Sequence, residues 1–198
     1  MNITLGASVG NSNNATSYAI ATAYTPPPYA LLVAMGYTNG VGSDTFTMSD
    51  SGMSLTWTKF ISVSAGGSEE WGFWAVSPAT PASTTITLST GGGSGTHVVA
   101  VVFEITGANT TTPILQVKNA AGTGIDPTTT FAAALLTTSG YLAMSTKGVA
   151  PGGGQFTAQS GWTADINTHG TGGAPDAKFG VQHRAGGETP ALPVVFHY

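Results

Sequence analysis

Hydrophobic and polar positions along this chain alternate with a period of two. From residue 29 the odd positions read Tyr29, Leu31, Val33, Met35 and Tyr37, and the even ones Ala30, Leu32, Ala34, Gly36 and Thr38. One face is bulky and the other mostly small, which predicts a strand. Residues 55–63 set Leu55, Trp57, Ile61 and Val63 on one side, interrupted by Lys59, with Thr56, Thr58, Ser62 and Ser64 opposite. Residues 97–105 set Val99, Val101, Phe103 and Ile105 against Val98, Ala100, Val102 and Glu104. Apolar on both sides, this segment is expected to be the most central strand, covered on both faces. Further strands are predicted over 45–49, 69–77, 83–89, 114–118, 128–136, 140–147, 155–159, 176–184 and 191–198. No helical period of useful length appears.

Turn signals punctuate these runs: Asn39-Gly40, Asp50-Ser51-Gly52, Gly66-Gly67, Gly91-Gly92-Gly93, Gly152-Gly153-Gly154 and Gly186-Gly187. Their spacing predicts an all-β fold, an antiparallel β-sandwich of jelly-roll-like type with about 10–12 strands and no substantial helix. Pro26, Pro27 and Pro28 cannot donate to a ladder and fix an extended backbone. They divide a polar amino-terminal arm or edge strand, residues 1–24, from a single β-sandwich domain expected over 25–198. A polar arm of this kind, with Asn11, Asn13 and Asn14, is expected to lie along a neighbouring subunit, which makes these asparagines and the three prolines the candidate interface.

The two halves echo each other. Leu31–Met35 is followed by Trp57 in Leu-Thr-Trp-Thr and then by the strand 71–76; Tyr141-Leu142-Ala143-Met144 is followed by Trp162 in Gly-Trp-Thr and then by the strand 177–183. Matching strand order suits a jelly roll or a doubled sandwich.

Charge narrows the partners. Only 7% of the residues are charged, 5 Lys+Arg against 9 Asp+Glu for a net −4, where ordinary domains carry roughly a quarter. The basic residues Lys59, Lys118, Lys147, Lys178 and Arg184 are scattered singly, so no stripe exists to displace counterions from a phosphate backbone, and no nucleic-acid partner is expected. No apolar run approaches the roughly 20 residues of a membrane span. Met1–Leu5 carries neither a basic nor an apolar leader pattern, so synthesis in a cytoplasm without a signal peptide is expected. With no cysteine there is no disulfide, thiolate nucleophile or Cys-ligated metal. The sequons at Asn2, Asn14 and Asn109 read as chance in a Thr-rich chain.

Candidate chemistry is thin. Glu69 and Asp50 would have to meet over adjacent loops to act as a glycosidase pair. The simpler reading makes Asp50-Ser51-Gly52 a turn and Glu69-Glu70 the start of a strand at a solvent edge. Glu104, inside an apolar strand, needs a partner such as a hydroxyl or a lysine. His97, His169, His183 and His197 fall in no shared motif, and Asp44, Asp50 and Asp126 lack the dense spacing of a calcium loop. No Gly-x-Ser-x-Gly elbow or phosphate loop occurs. No catalytic residue, metal ligand or cofactor is therefore assigned, and the chain reads as a non-enzyme. Trp57, Trp74 and Trp162 are the candidate aromatic platform for a glycan, although a core or subunit-interface role suits these rings better.

The run Pro27-Pro28-Tyr29-Ala30-Leu31-Leu32-Val33-Ala34-Met35-Gly36-Tyr37, then Thr45–Gly52 with Leu55-Thr56-Trp57-Thr58, Trp74-Ala75-Val76 with Thr85–Leu88, and Val102–Ala108, resembles a loose group of β-sandwich proteins encoded by tailed bacteriophages and bacteria. The resemblance covers most of residues 25–198. It implies a virion structural role, chiefly a capsid decoration or cement protein on the outer surface of the shell, with the major capsid protein and copies of itself, as a trimer, for partners. The alternative it leaves open is a tail component or a receptor- or carbohydrate-binding module. It supplies no catalytic residue.

Overall fold

The computed structural model describes residues 1–11, 15–39, 45–65, 68–91, 97–114, 117, 128–130, 140–149, 157–169, 176–184 and 193–195. Among them are thirteen strands and no helix. They are β1 (Asn2–Asn11), β2 (Ser17–Tyr24), β3 (Leu31–Asn39), β4 (Thr47–Asp50), β5 (Thr58–Ala65), β6 (Ser68–Val76), β7 (Thr84–Ser89) and β8 (His97–Thr106), then β9 (Thr128–Thr130), β10 (Tyr141–Val149), β11 (Thr163–His169), β12 (Asp176–Arg184) and β13 (Pro193–Val195). The chain divides into two compact units, Asn2–Pro113 and Ile114–Tyr198, where the sequence pattern suggested one sandwich over 25–198.

In the amino-terminal unit a five-stranded sheet, ordered β1-β8-β3-β6-β5, and a three-stranded sheet, β2-β7-β4, are antiparallel throughout. The chain changes sheet at every connection except the β5–β6 hairpin. The orders β1-β8-β3-β6 and β2-β7-β4 are those of a jelly roll, with β5 taken into the larger sheet. Inward side chains of the two sheets form one core: Tyr18, Ile20, Ile86 and Leu88 from one, Leu32, Ala34, Trp71, Phe73, Val98, Ala100 and Val102 from the other, with Phe46 between. Leu31, Val33, Val101 and Phe103 on the opposite faces of β3 and β8 are buried too. The expectation of 97–105 as a strand covered on both faces is met, and β3 shares that property.

Close packing explains the glycine in β3. A Cβ on Gly36 would come within 2.2 Å of the Trp71 ring and 2.7 Å of the Val99 carbonyl, so only glycine lets β3 pass over that indole. The Trp71 indole N–H in turn donates to Thr38 Oγ1 at 3.0 Å, which satisfies the one polar atom of a fully buried ring.

The segment before the prolines is the edge-strand form of the expectation rather than a loose arm. β1 pairs with β8 from Asn2↔Thr106 to Asn11↔Val98, and β2 pairs with β7. Tyr18, Ile20 and Ala21 are buried.

The carboxy-terminal unit holds a three-stranded antiparallel sheet, β10-β12-β11, and the pair β13-β9. Its sheet repeats the order β3-β6-β5. Leu142, Ala143 and Met144 face β12 at the register positions that Val33, Ala34 and Met35 hold against β6. Trp57 precedes β5 and Trp162 precedes β11, and each of those strands has its register shift at the third residue after the tryptophan, at Phe60 and at Asp165. The echo in the sequence is thus a structural repeat of one strand–strand–strand unit. Of the predicted strand 155–159, residues 157–159 are described and form no strand beyond a single bridge at Thr157, whereas 155–156 and parts of 114–118, 128–136 and 191–198 lie outside the described residues.

Candidate functional site

Edges come first, because a sheet edge offers unpaired backbone groups to other chains unless charge, proline or shortness blunts it. Among the described residues β1 pairs with β8 alone and β2 with β7 alone. Neither strand contains an ionisable group other than tyrosine or a proline, and β1 runs for ten residues. β1 and β2 also touch each other, so both lie on one side of the sandwich. The opposite edges differ in charge and length: β5 carries the exposed Lys59, and β4 is four residues long and ends on Asp50, while register shifts interrupt β1, β2 and β5 alike. Of the candidate interface residues, Asn11 sits at the end of β1, Pro26 is buried, Pro27 half-buried and Pro28 exposed. Asn13 and Asn14 lie outside the described residues.

The acidic residues separate into distinct roles. Asp50 accepts from the backbone N–H groups of Gly52 and Met53 through Oδ1 at 3.2 and 2.6 Å, and from that of Leu55 through Oδ2 at 2.6 Å, so the turn reading holds. Glu69 departs from its expected solvent edge. It is 1% exposed, on the face of β6 that carries Trp71 and Phe73, with Ser62 Oγ donating to Oε1. Burial on the core face follows from Glu69 sharing the parity of those two aromatics. Glu69 pairs with Thr38 at the far end of β3, whereas Asp50 lies in the other sheet near Thr84, at the end where Leu31 begins β3. Six residues of strand, about 20 Å, part the two levels, so no carboxylate pair spans a cleft there.

Glu104 finds its partner in a hydroxyl. Tyr24 Oη donates to Glu104 Oε1 at 2.8 Å, linking β2 of one sheet to β8 of the other. Burial, and then the hydrogen bond and charge of Glu104, push the Tyr24 phenol far above its ordinary value.

In the carboxy-terminal unit His183 Nδ1 meets Asp165 Oδ2 at 2.7 Å and Oδ1 at 2.9 Å. The β11 bulge makes this pair, because Asp165 is the extra residue between Ala164↔Gln182 and Ile166↔Val181, while Thr163 stands opposite His183. Burial raises the Asp165 carboxyl above the ordinary carboxylate range, and the His183 hydrogen bond and charge draw it back in part. The buried Gln182 accepts from the Gln159 N–H at 2.9 Å beside them. Among the described residues no group of three His, Cys, Asp or Glu gathers to hold a metal.

Trp57 is half-buried against the sandwich core, Trp74 is half-buried on β6, and Trp162 is 8% exposed. Trp162 therefore presents little ring to solvent. Sequence reasoning missed the Asp165–His183 and Tyr24–Glu104 pairings, since each joins residues on separate strands; the shared Trp-Thr-x-x-Ile spacing was the available signal for the first. No family model, curated protein or solved structure matches the chain.

Proposed function

We propose that this chain is a non-enzymatic structural protein of a tailed-phage virion, a capsid decoration protein that clamps neighbouring shell subunits from outside. The observation that carries the reading is the pair of charge-free edges, β1 and β2, on one side of a jelly-roll sandwich whose opposite edges are blunted. Backbone pairing and neutral surface, rather than electrostatic steering, would drive association in a chain with 7% charged residues. The work is mechanical. Each copy adds buried area across a seam of the shell, at roughly 25 cal/mol per Å² of apolar surface before association costs, and the gain repeats over the lattice. The partners under this reading are the major capsid protein and further copies of the chain.

Cryo-electron microscopy of particles from the source lysate tests it. Density for this sandwich on the head lattice is the expected result. Density at the tail tip would transfer the chain to the tail or receptor-binding reading, and absence from every particle would overturn the virion assignment.

A further inference from the structure

One end of the amino-terminal sandwich is formed by the loops 25–30, 51–57 and 77–83 and by 107–113 after β8. None of these loops holds a charged residue. Two carboxylates lie at their margin: Asp50 is engaged by three backbone N–H groups, and Glu104, two residues inside the end of β8, accepts from Tyr24 Oη; Lys59 stands one residue inside β5. From this neutral rim Tyr29 projects, 67% exposed, the most exposed of the large hydrophobic side chains among the described residues.

Its backbone is the unusual part. Tyr29 has φ +55°, in the left-handed region that a bulky side chain adopts only at a cost in strain. The surroundings hold it there. Ser77, 1% exposed, accepts from the Ala30 N–H at 2.8 Å and donates to the Pro27 carbonyl, and the Ser77 N–H donates to the Ala30 carbonyl at 2.9 Å. The Tyr29 N–H donates to the Pro78 carbonyl at 3.3 Å, and buried Pro26 anchors the approach. This turn cannot relax without breaking its bonds to Ser77 and Pro78 in the loop after β6.

We infer that Tyr29 is a preorganised knob that docks the sandwich onto its partner protein, inserting into an uncharged pocket on that partner. A fixed backbone lowers the entropy lost on binding, and tyrosine gives a large contact area with few torsions. The ring protrudes, so the concavity belongs to the partner; the rim is neutral, so the pocket is neutral too. Resting on the reading above, the partner is the shell lattice. The strain also explains why strand β3 begins at Leu31, although the alternating pattern started at Tyr29.

The test uses particles assembled without this chain and purified full-length protein added back, wild type or Tyr29→Ala, Tyr29→Asn and Tyr29→Phe. Wild type is expected to rebind, the Ala and Asn variants to bind at least about thirtyfold more weakly, and Phe to keep most of the affinity. Asn tolerates the left-handed region, so its Tm should equal or exceed wild type while binding falls, a combination that a merely structural ring would not give. Rebinding of the Ala and Asn variants at wild-type affinity would overturn the knob and leave the decoration reading intact. Loss of binding matched by a lower Tm in both variants would reduce Tyr29 to a structural residue. Failure of wild type to rebind any particle would overturn both.

Discussion

Asp165 occupies, in the carboxy-terminal unit, the bulge position that Phe60 fills in the amino-terminal one. In each case the register slips at the third residue after a tryptophan, between Lys59 and Ile61 or between Ala164 and Ile166. The strand opposite presents Trp74 in one unit and His183 in the other, both paired with the threonine that follows the tryptophan. The bulge therefore forms around apolar residues as readily as around an ion pair. A half-buried Asp–His pair is not what creates this backbone geometry, and desolvating it offsets much of its attraction.

Removing one partner and removing both should accordingly differ. Asp165→Ala alone is expected to destabilise the carboxy-terminal unit by about 1–3 kcal/mol, because the His183 N–H loses its acceptor in a shielded site. The double variant Asp165→Leu with His183→Phe should recover most of that loss. Chemical denaturation of the three proteins checks this, and a double variant no better than the single one would mean that the pair itself sustains the unit.

The same carboxyl predicts a pH dependence. Its folded value is raised from 3.8, so the native state holds the proton more tightly than the unfolded chain. The stability this contributes is present below the unfolded value and is lost as pH rises through the folded one. Asp165→Asn should flatten that part of the stability profile on the alkaline side of 3.8. Thermal melts of both proteins across mildly acidic pH would reveal the difference.

The sandwich was legible because its signals are local. The strand 176–184 coincides with β12, and 97–105 with all but the last residue of β8, since apolar alternation bounded by glycine is a one-dimensional pattern. β1 and β2 read in the sequence as an arm or edge, because Asn, Ser, Gly and Ala give little alternation; their identity as strands comes from ladders to β8 and β7, distant in the chain. β11 was missed for a similar reason. Its bulge breaks the period of two at Asp165, and that same break creates the contact with His183. The parity of Glu69 with Trp71 and Phe73 already points to the core face, but a Glu-Glu pair opening a strand reads as a solvent edge, and the neighbours Thr38 and Ser64 that cover it depend on which strands pair.

The Tyr24–Glu104 link should show itself in alkali. A phenol ionises near 10.0 in the unfolded chain, whereas burial and Glu104 hold it protonated well above that in the fold. Stability is thus complete below pH 10.0 and declines as pH rises toward the folded value. Tyr24→Phe should remove that decline while costing about 1 kcal/mol at neutral pH for the lost hydrogen bond. Urea titrations at neutral and strongly alkaline pH separate the two effects. A variant with the wild-type alkaline slope would show that another group is responsible.

Gly6 lies against this link, on the bulge of β1. A Cβ there would stand 2.8 Å from Tyr24 Oη and 2.9 Å from Glu104 Cγ and Oε1. Gly6→Ala should therefore destabilise by about 1–3 kcal/mol, and less in a Tyr24→Phe background, where the oxygen nearest the new methyl is gone. Gly36→Ala is the harsher case, since one of its obstacles is the Val99 backbone carbonyl and the other a buried indole. It should cost about 3 kcal/mol or more, with no single side-chain truncation relieving it completely.

Removal of residues 1–24 tests how far the amino-terminal segment belongs to the fold. A dispensable arm could be cut away with the sandwich left standing. Here the cut removes one edge strand from each sheet, takes Tyr18, Ile20 and Ala21 out of the core, and strips β8 and β7 of their outer partners. Truncating a single large core side chain already costs about 2–5 kcal/mol, against a total stability of about 5–15 kcal/mol for a typical domain. The truncated protein should lose the cooperative unfolding of the amino-terminal unit, visible as loss of the near-ultraviolet dichroism that Trp57, Trp71 and Trp74 contribute and as rapid proteolysis of residues 25–113. Contacts made by the edges are better probed by Ser8→Lys, at an exposed β1 position, which blunts the edge without emptying the core. That variant should melt like wild type and bind particles more weakly; a folded, protease-resistant truncation would restore the arm.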